Sequence, residues 1–176
     1  MRALLAALPL LLACGAPVGA ALEDAREASR IPDGFLLHYE EVGGSLGERS
    51  FRLDAEGALV RRYERPGIGA RTDAPSAEPG SDSDSGASGA IVTEATLDAR
   101  EMQRVLETLV AIEAWEQADD GDLPAGPLEA RRAWLELRAE GERARVWEWA
   151  HDLEANDRLV RIRRVLDELL AAHAVD

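Results

Sequence analysis

The chain has 176 residues, 34 acidic against 20 basic, and a formal net charge of −14. A surface so acidic argues against nucleic acid as a partner and against adhesion to anionic headgroups by charge. All twenty basic residues are arginine, which excludes a lysine Schiff base and the lysine of a phosphate-binding P-loop. The length suits one domain with a core of its own.

In chain order, Met1 and Arg2 precede an apolar run, Ala3 to Ala13, that ends at Cys14, the only cysteine. The run is too short, and with Pro9 too broken, to cross a bilayer as a stable helix, but it has the form of an export leader. Residues 21–30 read as a solvated lead-in with at most a helical turn. Phe35, Leu37 and Tyr39 alternate with Leu36, His38 and Glu40, which predicts a strand. Gly43 and Gly44 open a turn. Phe51 and Leu53 belong to a second strand, and Leu59 to Arg65 to a third, so a meander is expected. Pro66 to Gly89 holds one large apolar residue, Ile68, and is expected to be a disordered acidic insertion. Its Asp82-Ser83-Asp84-Ser85-Gly86 has the opening of a calcium loop, but Thr93 stands where the closing glutamate belongs, so it reads as solvated linker.

Ile91-Val92-Thr93 predicts a short fourth strand. Asp98 with Glu101 makes a capping box for an amphipathic helix over 98–115, with Met102, Val105, Leu106, Leu109, Val110 and Ile112 on its apolar side. Gln117 to Pro127 is a loop. A hairpin follows over 131–151, turning at Glu140-Gly141-Glu142. Its Leu135, Leu137, Ala144 and Val146 share one face, whichever two-residue register forms. Trp134, Glu136, Arg138, Arg145, Trp147 and Trp149 share the other. Asn156 or Asp157 caps a last helix carrying Leu159, Ile162, Val165, Leu166, Leu169 and Leu170. The expected fold is α+β: an antiparallel sheet of five to six strands, a meander and then a hairpin, with two amphipathic helices on one face.

Candidate chemistry is sparse. His38, His151 and His173 fall in different elements, and none has a metal-ligand neighbour at short spacing. No Gly-x-Ser-x-Gly nucleophile turn is present. No catalytic residue, metal, cofactor or small-molecule ligand is assigned. The sharpest signal is the tryptophan–arginine face of the hairpin, since these residue types are enriched in interface hot spots. Read blandly, the same tryptophans are a second packed layer under arginine stems.

Two resemblances add expectations. Leu11-Leu12-Ala13-Cys14 resembles the lipobox of bacterial lipoproteins. That implies cleavage before Cys14, attachment of a diacylglyceride to its thiol and, with Gly15 rather than aspartate next, sorting to the outer membrane on its periplasmic side. Val18-Gly19-Ala20 before Ala21 offers the alternative of ordinary signal-peptidase cleavage, giving a soluble periplasmic or secreted protein. The expected organisation is a signal peptide at 1–13 (alternatively cut after 20), an anchor and flexible lead-in at 14–30, and one domain at 31–176 with the insertion at 66–89. Val42-Gly43-Gly44-Ser45-Leu46-Gly47, the strand from Ser50 to Leu53 and the helix start at Thr96-Leu97-Asp98 resemble emfourin-type proteins. That resemblance implies inhibition of a protease and carries no inhibitory residue across; the candidate contacts are a sheet edge, the glycine turn with Gly43 and Gly44, or the tryptophan face. The functional expectation is an exported, lipid-anchored envelope protein that binds a protein partner and is not an enzyme, with the lipid as its membrane contact. The competing class is a small envelope hydrolase or carbohydrate-acting enzyme with a site assembled by the fold. A pocket of convergent carboxylates or paired histidines would favour the enzyme, and a flat face with exposed tryptophans the binding protein.

Overall fold

The computed structural model describes residues 16–42, 47–64, 90–117, 132–149 and 157–174. Strands β1 (Leu36–Val42), β2 (Glu48–Asp54), β3 (Ala58–Glu64), β4 (Ile91–Thr96), β5 (Arg132–Ala139) and β6 (Glu142–Trp149) form one antiparallel sheet in the order β4-β3-β2-β1-β5-β6. Helices α1 (Ala16–Glu27), α2 (Ala99–Ala111) and α3 (Asp157–His173) complete an α+β fold.

Strand alternation divides the sheet. Leu37, Tyr39, Phe51, Leu53, Leu59, Leu135, Leu137, Ala144 and Val146 point to one side and join the helices in a single apolar core. That core takes in Met102, Val105, Leu106 and Leu109 of α2 and Leu159, Ile162, Leu166, Leu169 and Leu170 of α3. The capping box forms at α2: Asp98 Oδ1 accepts from the Glu101 N–H at 2.8 Å, and Glu101 Oε2 accepts from the Asp98 N–H at 2.9 Å. The helix ends at Ala111 rather than running on to 115, because the chain turns there with Glu113 at φ 48°.

The β2–β3 turn is tied to the start of α2. Asp54 Oδ1 accepts from the N–H groups of Glu56 and Ala58, at 3.2 and 2.9 Å. Gly57 takes φ +84°, and its carbonyl accepts from the Leu97 N–H at 2.9 Å. A Cβ at Gly57 would lie 2.6 Å from the Leu97 carbonyl oxygen, so a side chain is excluded by space as well as by backbone conformation.

The reading of 14–30 as a flexible lead-in is corrected over 16–27. Those residues are helical, and Val18, Leu22 and Ala25 are fully buried against the core. The apolar positions recur every three to four residues, which is helical spacing, but alanine and glycine between them dilute the amphipathic signal. Among the described residues the helix layer therefore has three members, not two.

Several polar contacts fasten α3, among them Arg158 with Glu148 of β6 at 3.0 Å and the clusters around Glu41 and Asp167. Tyr39 Oη donates to Glu41 Oε1 at 2.6 Å, and Arg163 Nη1 donates to the same oxygen at 2.7 Å. Burial and the adjacent Glu41 carboxylate push the Tyr39 phenol well above its ordinary range, so it stays protonated. Asp167 pairs with Arg61 at 3.3 Å and Arg49 at 3.5 Å, which brings α3 over β2 and β3.

Candidate functional site: the outer face of the hairpin

The β5–β6 hairpin turns at Glu140 and Gly141, at φ 52° and 82°, the left-handed pair of a two-residue turn whose twist suits the flanking strands. Glu140 holds this conformation through its neighbours. Arg30 donates to its Oε1 at 2.7 Å, the Asp33 N–H donates there at 3.2 Å, and the Glu140 N–H donates to the Asp33 carbonyl at 2.8 Å. The turn fixes the register as Trp134 opposite Trp147, Leu135 opposite Val146, Glu136 opposite Arg145 and Leu137 opposite Ala144.

The division expected of this hairpin is the one observed. Leu135, Leu137, Ala144 and Val146 are in the core. Trp134, Glu136 and Trp147 are half-buried on the opposite face, and Arg138 and Arg145 are exposed there. Trp149 ends β6 opposite Arg132, but its side chain lies outside the described residues. The Trp134 and Trp147 ring centroids are 6.3 Å apart and tilted by 46°. The Arg145 guanidinium carbon sits 4.1 Å above the Trp134 ring, in cation–π range.

Beside them, Glu136 is clamped by two arginines: Arg138 Nε donates to Oε1 at 2.9 Å and Arg143 Nη2 to Oε2 at 2.5 Å. Burial works to raise the Glu136 carboxyl, but those two hydrogen bonds outweigh it and hold the group below its ordinary range. Gln117 ties down the edge: its side-chain amide donates to the Trp147 carbonyl at 2.8 Å and accepts from the Trp147 N–H at 3.0 Å. This pairing occupies β6 where an added strand would otherwise bond.

The tryptophan face continues across the sheet. Register partners place Trp147, Trp134, Glu40, Ser50, Arg62 and Val92 in one row, and Arg145, Glu136, His38, Arg52, Val60 and Glu94 in the next. Among the described residues of the six strands, no outward side chain is buried, and Val92 is 53% exposed. The face is mixed and shallow: its depression by Glu40, Ser50 and Arg62 holds about 190 Å³.

A larger groove, of about 670 Å³, runs between α2 and α3 and carries Asp98, Glu101, Glu107 and Glu168. Asp98 and Glu101 are engaged in the capping box, Glu168 pairs with Arg104, and His173 Nε2 lies 3.1 Å from both Glu101 carboxylate oxygens. These groups tie helix ends together. Among the described residues, no three His, Cys, Asp or Glu side chains gather as a metal site. His38 sits outward between Arg52 and Glu136 on the sheet.

Cys14, Gly43, Gly44, His151 and the insertion at 66–89 lie outside the described residues. Sequence reasoning missed Trp115. It is 8% exposed, and a Cβ built on Gly19 would come within 2.5 Å of its indole, so α1 and the chain after α2 meet with no room for a side chain. Its position three residues after Ile112 was the available signal. No helix among the described residues is long and apolar enough to cross a membrane. No protein-family model matches the chain, and no curated protein matches it significantly.

Proposed function

We propose that the protein is an exported, lipid-anchored envelope protein that binds a protein partner through the outer face of the β5–β6 hairpin. One observation carries the binding reading. Arg145 stacks over Trp134, and Trp134 packs beside Trp147, on a sheet face where no described outward side chain is buried. Two half-exposed indoles braced by an arginine offer a large, rigid contact area that loses little side-chain entropy on binding. The clamped Glu136 keeps Arg138 and Arg143 on the same surface. Arginine stacks on aromatic groups and pairs with carboxylates, so a partner presenting acidic and aromatic side chains suits this face. Export and anchoring are supported by the apolar run ending at Cys14. Asp98, Glu101 and Glu168 of the α2–α3 groove are engaged in a cap and ion pairs, which weighs against the hydrolase reading.

The test uses the full-length protein, immobilised in detergent and exposed to envelope extract. Wild type should retain a discrete partner that Trp134→Ala and Arg145→Ala lose while their melting temperatures stay within a few degrees. Retention of the same partner by both variants would refute the assignment of this face.

A further inference from the structure

Resting on the export reading, we infer that the leader is cut upstream of Ala16, so that α1 is the first element of the mature domain and the site after Ala20 is not used. Either cut hydrolyses one peptide bond with one water, and the two differ in what they remove from the folded chain. Val18, Leu22 and Ala25 of α1 are fully buried in the core. Gly19 lies against the Trp115 indole, with no space for even a methyl group. A cut between Ala20 and Ala21 divides this helix. It would strip Val18 and Gly19 from the core, uncover Trp115, and place a new ammonium group one residue from buried Leu22. The seven residues remaining, 21–27, are too few to hold a helix by themselves. A cut before Cys14 leaves α1 whole, and Cys14 is where the apolar run ends.

The consequence is a short tether. Ala16 follows Cys14 by two residues, a reach of at most about 7 Å. A flexible lead-in over 14–30 would have given a stalk several times longer. Orientation follows as well. The chain beyond α1 meets the hairpin turn, through Arg30 with Glu140 and the Glu140 N–H with Asp33. The N-terminal half of α1 meets Trp115, and Gln117, two residues on, brackets Trp147. The open end of the hairpin is therefore the end nearest the anchor, and the turn at Glu140-Gly141 points away from the membrane.

The full chain is expressed in a bacterial host with a lipoprotein pathway, and the N-terminal peptide of the membrane-bound product is identified by mass, beside full-length Gly19→Leu and Gly19→Ala. A product beginning at Cys14 is expected. Gly19→Leu should lower its melting temperature by roughly 5–10 °C, and Gly19→Ala by less, as the added side chains meet the indole. A product beginning at Ala21 would overturn the inference while leaving export intact. A chain that keeps Met1 and stays in the cytoplasm would overturn the export reading instead. Unchanged melting of both Gly19 variants in a product that contains residue 19 would also overturn the inference, by removing its packing basis.

Discussion

The two faces of the β5–β6 hairpin share one backbone and one turn, yet they are built from opposite materials. The inner face carries Ala133, Leu135, Leu137, Ala139, Ala144 and Val146, small and aliphatic and closed over by the helices, with buried Glu148 at its open end paired to Arg158 of α3. The outer face carries Trp134 and Trp147, larger than anything opposite them, among Glu136, Arg138, Arg143 and Arg145. Had apolar area alone decided burial, the indoles would be inside. Small residues let α1 approach the sheet closely, whereas bulky indoles with a polar N–H are placed where water or a partner can reach them. Among the described hairpin side chains, the largest apolar ones, Trp134 and Trp147, are half-buried on the outer face rather than in the core.

The inner face should be the more sensitive to truncation. Leu135→Ala removes a fully buried side chain facing Tyr39 and Val146 in the ladder, and should cost about 2–5 kcal/mol in urea unfolding. A loss below 1 kcal/mol, on the order of a surface change, would dissolve the distinction between the faces. Next in size is Tyr39→Phe, also inward. It removes the 2.6 Å bond to Glu41 and should cost about 1–2 kcal/mol. The folded phenol titrates above its ordinary range, so its stabilisation is whole below about pH 10 and is lost as pH rises through the higher folded value. The alkaline fall in melting temperature of wild type should therefore be shallower in Tyr39→Phe.

On the outer face the effects should be smaller. Trp134→Ala forfeits the Trp147 contact and the Arg145 stack, for about 0.5–1.5 kcal/mol. Smallest is Glu136→Gln, which loosens the clamp on Arg138 and Arg143 for under about 1 kcal/mol, as both arginines are exposed. Because the Glu136 carboxyl is held low in the folded chain, its contribution is present above the ordinary carboxylate range and is lost as pH falls through the depressed folded value. Wild type and Glu136→Gln should converge in melting temperature on acidification. Divergence would show that the clamp does not set the charge of Glu136.

How much of this was legible in the sequence depended on periodicity. Strict alternation at 133–138 and 144–147 placed those side chains on their observed faces, and Asp98 with Glu101 placed the start of α2. The α+β class followed from those elements. Helix α1 was not legible as core, because its buried positions are a valine, a leucine and an alanine beside a glycine whose worth lies in having no side chain against Trp115. The Tyr39–Glu41–Arg163 and Arg49–Asp167–Arg61 clusters join residues more than a hundred positions apart. No local pattern announces such pairs. The tryptophan face was visible as composition, and its register and the Arg145 stack came from the structure.

The outer tryptophan face, as proposed, is a binding surface and not a second core. Its most direct test is Trp147→Ala in the full-length protein, followed by thermal unfolding and by partner capture from the same preparation. A binding surface should give a melting temperature within a few degrees of wild type, together with a several-fold loss of capture. A stability loss of about 3–5 kcal/mol, the cost of removing an aromatic from a packed interior, with capture by the remaining folded fraction unchanged, would contradict it.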